Sequence, residues 1–379
     1  MKIGLAIYYF DPKKGGAERY TYDLSLMLAR NKHDVFVFCS DGIETEGITL
    51  VKLNTIRFPR WLRNLSFALQ HKRIVRRYNL DVLLGFGNTL VLDVYQSHGG
   101  VQREWMRREI ESYDNRLERY IKGFLLRTSI NQKIQQWIAE YPIKRGRFKH
   151  VIAISDMIKK QMMQYYSIDE SKIEIVYNGV DTVRFSPSQD DLPLPLKVLF
   201  SAGNFRLKGL SPLLSAIARM KKQNKVVELL IMGRGRRKRY DKMIDRLGIS
   251  GQVTFLGEIE SPQKVYQRAH VLAHPTFYDA CSLTTMEAMA SGLPTITTSW
   301  NGAAALISKH EGYVIEETRD SDALSSAIGD LLNEKIRLSM AKAARIKMEQ
   351  YTTQRNMYEV EKILKKSIDS IPGSEIPRI

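Results

Sequence analysis

Short apolar runs alternate with helical segments along nearly the whole chain, and this alternation restricts the fold more than any other feature. Residues 3–9, 34–39 and 82–86 are such runs, and the same pattern resumes at 197–203. Strands that are apolar throughout are usually buried on both faces, as in parallel sheets covered by helices. The sequence therefore predicts an α/β protein made of doubly wound parallel sheets.

A proline-containing stretch at 186–196 divides this alternation into two halves. It contains three prolines and little periodicity, which is typical of a linker. A chain of 379 residues is long enough for two domains with separate cores. We predict a Rossmann-like domain at 1–185, a second one at 197–352, and a last helix within about 353–379.

Charge and composition limit the partners and the location of the protein. The formal net charge is +17, but no zinc-ligand spacing, RNA-binding signature or basic tail accompanies it. We therefore predict an anionic membrane surface or an anionic acceptor as the partner, and not nucleic acid. The two cysteines, Cys39 and Cys281, form no disulfide framework, which fits a reducing cytoplasm. No apolar run approaches 18 residues, so we predict no membrane-spanning helix.

Residues 279–294 are the most informative stretch for function. They follow an apolar run and open a helix, and a helix N-terminus suits a phosphate because of its free N–H groups and partial positive charge. Asp279 and Glu287 place two carboxylates eight positions apart, where they would bind sugar and ribose hydroxyls. The stretch predicts a nucleotide-sugar site, although a purely structural strand-to-helix turn remains an alternative.

This stretch resembles the Glu-x7-Glu signature of retaining GT-B glycosyltransferases of family four. Glu287 matches the second Glu, and Asp279 stands where the family usually has the first. The resemblance covers nearly the whole chain and is greatest to lipopolysaccharide core glucosyltransferases. It implies two Rossmann-like domains facing each other across a cleft, with the last helix packing on the first domain. It also implies metal-independent, retaining transfer of a hexose, expected to be glucose from UDP-glucose, without a cofactor.

Other loops match the same family. Arg206 and Lys208 match a basic element that neutralises the donor diphosphate, and the loop with Arg234 matches a Gly-x-Gly loop rather than a dinucleotide fingerprint. The resemblance assigns His98 a place near the donor sugar. Taken alone, two basic loop residues are more often solvated than functional, and a lone histidine is more often structural or solvated. We assign catalytic roles to four residues, namely His98, Asp279, Arg206 and Lys208. We assign donor binding to Gly15, Gly16, Gly203, Arg234, Ser282, Leu283, Thr284 and Glu287.

Two basic, aromatic regions stand out in the first half of the chain, at 57–77 and 103–127. In the second, apolar residues from Met106 to Phe124 recur at steps of three and four, which predicts one helical face. Basic amphipathic helices with Trp and Tyr can lie at a membrane interface. The alternative is that the apolar stripe packs on the sheet. We predict membrane or acceptor contacts by Trp61, Arg103, Trp105, Arg107 and Arg108.

These observations predict a cytoplasmic enzyme that is peripheral on the inner face of the cell membrane. Its acceptor is expected to be an anionic glycolipid or a phosphorylated saccharide of the lipopolysaccharide core. One alternative is a non-catalytic membrane-surface binding protein with a degenerate GT-B fold. Another is a dinucleotide-dependent oxidoreductase, which the missing fingerprint opposes.

Overall fold

The computed structural model describes residues 1–190 and 192–369, which form two compact units. The first unit contains Met1–Glu104, Tyr120–Val176 and the described chain from Met357; the second contains Trp105–Arg119 and Tyr177–Asn356. Residue 191 of the predicted linker and residues 370–379 of the predicted last helix lie outside the described residues. The segment Trp105–Arg119 packs with the second unit, whereas we predicted that all of 1–185 would form one domain.

The first unit is built on a parallel sheet. Its strands are β1 (Lys2–Ala6), β2 (Tyr9–Phe10), β3 (Asp34–Cys39), β4 (Asp41–Gly42), β5 (Ile48–Lys52), β6 (Val82–Gly85), β7 (Val94–Gln96), β8 (His150–Ala153) and β9 (Ile173–Ile175). Seven of them pair in the order β5-β3-β1-β6-β7-β8-β9, and β2 pairs separately with β4. Chain order reverses between β1 and β6, so the loops after these two strands flank a crevice at the carboxyl edge of the sheet.

The second unit is built on a second parallel sheet. Its strands are β10 (Leu196–Ser201), β11 (Val227–Met232), β12 (Val253–Gly257), β13 (Val271–His274), β14 (Thr295–Thr298) and β15 (Gly312–Ile315). They pair in the order β12-β11-β10-β13-β14-β15, so the reversal falls between β10 and β13. The two sheets confirm the predicted doubly wound architecture.

Helices cover both sheets. Within the described residues they are α1 (Gly16–Arg30), α2 (Arg60–Ile74), α3 (Gln102–Glu111), α4 (Arg116–Thr128), α5 (Ile130–Lys144), α6 (Asp156–Tyr166), α7 (Leu210–Lys222), α8 (Lys238–Leu247), α9 (Gln263–Tyr266), α10 (Leu283–Ala290), α11 (Ser321–Asp330), α12 (Glu334–Met348) and α13 (Thr353–Asp369). The single helical face predicted across 103–127 is wrong, because α3 and α4 are separate helices with a turn at 112–115 between them.

Each sheet has its own apolar core. In the first unit, Ile3 and Val37 from neighbouring strands are completely buried together with Val360 and Leu364 of α13. The last helix therefore belongs to the core of the unit that begins the chain. In the second unit, buried residues of α7 and α11 pack on β10 and β11. Among the described helices, none combines the length and the apolar character needed to cross a bilayer.

Candidate donor site and a cavity in the first unit

The loops after β10 and β13 meet at the reversal of strand order in the second sheet. Gly209, at the start of α7, has φ 82°, and a Cβ there would lie 1.9 Å from the Pro275 carbonyl oxygen. Only glycine permits such an approach of two backbones. This contact places Lys208, which precedes Gly209, beside Asp279 of the second loop.

Lys208 and Asp279 form an ion pair. The Lys208 Nζ lies 2.5 Å from Asp279 Oδ2 and also donates to the Tyr278 carbonyl at 3.0 Å. Burial alone would raise the pKa of Asp279, but the Lys208 charge and the contact with His274 outweigh it and hold that pKa well below its usual range. The carboxylate is therefore ionised at neutral pH and keeps its ammonium partner.

The first turn of α10 is fixed by buried polar contacts. Ser282 caps the helix, since its Oγ accepts from the Thr285 amide at 3.3 Å, while its own amide donates to Asn301 Oδ1 at 3.2 Å. Asn301 also donates to Thr285 Oγ1 at 2.9 Å, and it is 1% exposed. The sequence prediction missed Asn301, whose only signal is its position after a predicted strand. Leu283, in contrast, is exposed at the helix start.

Glu287 lies one turn into α10 against a buried phenol. The Tyr266 hydroxyl donates to Glu287 Oε2 at 2.9 Å. Burial raises the pKa of Glu287 to about 7, against the opposing effect of the Tyr266 hydrogen bond. Glu287 therefore changes charge near neutral pH. Sequence reasoning also missed Tyr266, because a tyrosine in a helix gives no sign of its partner.

Arg206 contacts the segment Trp105–Arg119. Its guanidinium forms an ion pair with Glu109, donates from Nε to Ser112 Oγ at 3.1 Å, and lies 3.5 Å from the centre of the Tyr113 ring. Nothing in the sequence predicted these contacts, since the two stretches are nearly a hundred residues apart. They occupy the same guanidinium to which we assigned the donor diphosphate.

The other predicted residues of this unit lie in open positions. Arg234 is exposed and pairs with Glu258 at 2.8 Å in the loop after β12. Gly203 follows β10, and an added Cβ there would meet no atom within 4 Å. Thr284 lies in the first turn of α10, half-buried. All three lie at the carboxyl edge of the sheet, where a ligand could contact them. Arg234, the charged residue of the three, already has an ion-pair partner.

A cavity of about 230 Å³ opens at the carboxyl edge of the sheet in the first unit. Its lining includes Tyr8, Asn88, Tyr95 and Gln102, and none of the described residues that line it carries a charge. Gly99 and Gly100 also line it, directly after His98 in the chain. Aromatic rings and amides without charges are suited to an uncharged polar ligand such as a sugar ring.

His98 is held between aromatic rings. Its ring centre lies 4.5 Å from that of Tyr20 and 5.2 Å from that of Phe86. Burial lowers the pKa of His98 to about 4, so the imidazole is neutral at physiological pH. Its Nε2 is buried and has no hydrogen-bond partner within the described chain. Gly15 and Gly16 lie at the start of α1 in the same unit, and Gly16 has no neighbour that a Cβ would meet.

The residues predicted to contact a membrane differ in exposure and in their partners. Arg108 is 7% exposed, pairs with Glu111 at 2.7 Å and lies over the Trp300 ring, so its predicted membrane contact is wrong. Arg103 is exposed but pairs with Glu140 at 3.1 Å. Arg107 is exposed near Glu111, and the tryptophans Trp61 and Trp105 are half-buried.

Helix α4 instead presents a row of exposed apolar side chains. Leu117 is 64% exposed and Phe124 is 61% exposed, and between them lie Tyr120 and Ile121, which are also exposed. Their spacing of three and four residues puts them on one side of the helix. The predicted apolar stripe is therefore divided, because its first members on α3 are half-buried while those on α4 face solvent.

Comparisons with known proteins identify the class. The family model described as Glycosyltransferase Family 4 matches residues 14–184, and the model described as Glycosyl transferases group 1 matches residues 184–348. Together they cover most of the chain, which therefore belongs to this family of glycosyltransferases. The family assignment leaves the dinucleotide-dependent oxidoreductase without support.

Individual relatives agree with that class. The chain is 20% identical to the lipopolysaccharide glucosyltransferase WaaG of Escherichia coli (strain K12), over 98% of this chain and 99% of the relative. It is 24% identical to the phosphatidylinositol N-acetylglucosaminyltransferase gpi3 subunit of Schizosaccharomyces pombe, over 87% of this chain and 73% of the relative.

Solved structures are similar over the whole chain. The crystal structure of WaaG matches with a TM-score of 0.77 at 19% identity, covering 96% of this chain and 99% of that one. Anabaena Alr3699/HepE in complex with UDP matches with a TM-score of 0.72 at 17% identity, covering 97% of this chain and 100% of that one. These likenesses confirm the predicted GT-B fold.

Proposed function

We propose that the protein is a retaining, metal-independent hexosyltransferase that uses UDP-glucose as its donor. The observation that carries this proposal is the arrangement at the reversal of the second sheet. There the basic loop after β10 packs on the loop of Asp279, and α10 presents Glu287 one turn further on. One solved relative is described in complex with UDP-glucose, and another relative is named a glucosyltransferase, which supports this donor.

Each group in this site has a role that fits its chemistry. Arg206 and Lys208, with the N-terminus of α10, would neutralise the diphosphate as negative charge develops on the leaving phosphate. Ionised Glu287 would accept hydrogen bonds from the ribose hydroxyls. Asp279 would hold hydroxyls of the hexose beside the Lys208 ammonium.

The proposed reaction exchanges one bond for another at the anomeric carbon. The bond from that carbon to the leaving diphosphate oxygen breaks, and a bond to the acceptor hydroxyl oxygen forms on the same face of the sugar. The acceptor proton passes to the leaving phosphate. Neutral His98 would donate or accept a hydrogen bond at the sugar through its buried Nε2.

We propose a saccharide of a glycolipid or of the lipopolysaccharide core as the acceptor. The uncharged lining of the cavity in the first unit suits a sugar ring, with aromatic faces for packing and amides for hydroxyls. Any phosphate on the acceptor would then lie outside this cavity. The basic charge of the chain would serve those outer groups and the membrane.

The membrane contact is proposed for α4, at the inner face of the cell membrane. The exposed row from Leu117 to Phe124 would enter the interface, and Arg116 and Arg127 at the helix ends would meet anionic headgroups. This assignment replaces Arg108, which is buried.

Donor binding is tested by thermal shift with UDP-glucose, UDP-galactose and GDP-mannose side by side. We expect the largest shift with UDP-glucose. Glu287→Ala should weaken its binding roughly tenfold or more, since a charge-assisted hydrogen bond contributes about 1.5–3 kcal/mol. Glu334→Ala removes an exposed carboxylate of the same unit and is the matched control. Equal affinity in all three proteins would remove Glu287 from the site.

Catalysis is tested by nuclear magnetic resonance of the sugar released or transferred. We expect slow hydrolysis of UDP-glucose in water and retention of the anomeric configuration with a saccharide acceptor. A protein that binds the donor but never cleaves it would favour the non-catalytic alternative. Inverted product would overturn the retaining assignment.

The membrane contact is tested by sedimentation with vesicles of anionic and neutral phospholipid. Replacing Leu117, Ile121 and Phe124 with Ser should reduce sedimentation with anionic vesicles about tenfold or more, because each buried apolar side chain contributes roughly 1.5–3 kcal/mol. Leu338→Ser with Ile346→Ser removes comparably exposed apolar groups from α12 and is the control. Sedimentation equal to the parent in the α4 variant would contradict this surface.

A further inference from the structure

The segment Trp105–Arg119 is held on the second unit by a series of carboxylate–guanidinium pairs. Glu109 pairs with Arg206, Asp114 with Arg319 at 2.8 Å, and Glu118 with Arg239 at 2.9 Å. The three acidic residues lie on α3, in the turn after it and at the start of α4, so the pairs are spread along the segment. This charge complementarity fixes which surface the segment covers.

The pair between Glu109 and Arg206 differs from the other two in its burial. The Glu109 side chain is 6% exposed and the Arg206 side chain 11%, whereas all the side chains in the other two pairs are 40% exposed or more. Two of the three guanidinium nitrogens of Arg206 are engaged, Nη2 by Glu109 and Nε by Ser112. The face of the same guanidinium lies against Tyr113.

A diphosphate cannot take the side-on pair of donors, Nε and Nη2, of Arg206 while these contacts persist. Carboxylate and phosphate oxygens both bind this planar arrangement of N–H groups, so they compete for it. Because Glu109 is bound there and is buried, a phosphate that takes the same two donors must displace its carboxylate.

We propose that Glu109 is an internal competitor of the donor diphosphate. In this mechanism, donor binding exchanges the Glu109 carboxylate for phosphate oxygens on Arg206 and displaces the segment Trp105–Arg119. The inference rests on the proposed function, because it takes Arg206 as a diphosphate ligand. It goes beyond that function because it identifies a carboxylate of this chain that competes with the donor for Arg206. That carboxylate lies on a segment that continues into α4.

The sign of the expected effect follows from this competition. When only a fraction of molecules has a free Arg206, the apparent donor affinity is reduced by that fraction. Removing the competing charge therefore strengthens donor binding. A carboxylate that merely orients Arg206 for the donor would give the opposite result on removal.

The test is calorimetric titration of the full chain with UDP. Glu109→Gln keeps the size of the side chain and one acceptor oxygen while removing its charge. We expect UDP to bind about tenfold more tightly, in line with the loss of one charge-assisted contact. Uridine, which has no phosphate, should bind Glu109→Gln and the parent equally. Glu111→Gln, on the same helix but paired with Arg107 and Arg108, should leave UDP affinity unchanged.

A second variant separates failure of this inference from failure of the proposed function. Arg206→Ala should weaken UDP binding and abolish the gain from Glu109→Gln in the double variant. If Arg206→Ala binds UDP as the parent does, the diphosphate role of Arg206 in the proposed function is wrong. If Arg206→Ala weakens binding but Glu109→Gln gives equal or weaker binding than the parent, the competition alone is wrong.

Hydrogen–deuterium exchange gives a readout that does not depend on the variants. Ligands normally protect the segments they contact, but UDP should increase amide exchange across residues 105–119 as the segment is displaced. Amides at the start of α10 should become protected at the same time. Protection of 105–119 by UDP would overturn the displacement.

Discussion

The carboxyl edges of the two sheets differ in how their polar side chains are partnered. In the second unit, the carboxylates at the edge have side-chain partners, as in the contacts of Asp279 with Lys208 and of Glu287 with Tyr266. In the first unit, within the residues described, several buried polar atoms at the end of β7 and in the loops after β6 and β7 have no hydrogen-bond partner. They belong to Asn88, Thr89, Gln96, Ser97 and His98.

This difference indicates how each edge would bind a ligand. A buried polar atom without a partner costs about 1–3 kcal/mol, so a group of neutral ones is tolerated where an outside hydroxyl can supply the missing bonds. Charged groups that already have partners bind a ligand only by exchange. Substitutions at the first edge should therefore change turnover with little effect on stability, whereas those at the second should change affinity and stability together.

The largest effect is expected at His98. His98→Ala should lower kcat with the true acceptor by about 10²–10³, the usual cost of removing one preorganised polar contact to a transition state. Donor affinity and melting temperature should stay close to those of the parent. Steady-state kinetics and calorimetry measure the two quantities separately.

His71 is the matched control for that variant. It is completely buried in the same unit, and burial lowers the pKa of His71 to about 3. His71→Ala should lower the melting temperature and leave the turnover of the folded protein unchanged. A normal kcat in His98→Ala would show that His98, like His71, has only a structural role. It would also contradict the comparison of the two edges.

The sequence predicted which residues lie at the carboxyl edge of the second sheet, but it did not predict the contacts that they make. Arg206, Lys208 and Asp279 follow apolar runs that the sequence predicted to be strands. Such runs can be recognised in a sequence because their period and length reflect burial alone. Whether Arg206 faces a ligand or Glu109 depends on how a distant segment packs, and single-sequence patterns carry no such information. The same limit explains why Arg108, on a basic amphipathic stretch, proved to be buried against Trp300.

A smaller effect is expected for the charged pair of the second unit. Lys208→Met should weaken UDP-glucose binding roughly tenfold or more, since it removes a charge-assisted contact. It should also lower stability at neutral pH, because the half-buried Asp279 carboxylate loses its partner. Isothermal titration and thermal melts measure the two losses.

The pH dependence of that stability loss has a definite sign. The folded-state pKa of Asp279 is depressed, so its contribution is present above the ordinary Asp pKa and disappears as pH falls through the folded value. The difference in melting temperature between the parent and Lys208→Met should therefore shrink in acid. Lys335→Met, at an exposed position on α12, should show no difference at any pH. A gap that grows in acid would contradict the ion pair.

The smallest effect is expected at Tyr266, through the charge of Glu287. Because burial raises the pKa of Glu287 to about 7, and the ionised form accepts ribose hydroxyls, UDP-glucose should bind more tightly as pH rises through that value. Tyr266→Phe removes a hydrogen bond that lowers this pKa. The pH midpoint of binding should move upward and affinity at neutral pH should fall by about two- to tenfold, the usual range for one neutral hydrogen bond.

Tyr240→Phe, at another buried phenol of this unit, is the control, and Glu287→Gln should bind with no pH dependence in this range. An unchanged midpoint in Tyr266→Phe would show that the Tyr266 hydrogen bond does not influence the charge of Glu287. The contacts between side chains at the second edge would then matter less for ligand binding than the comparison of the two edges requires.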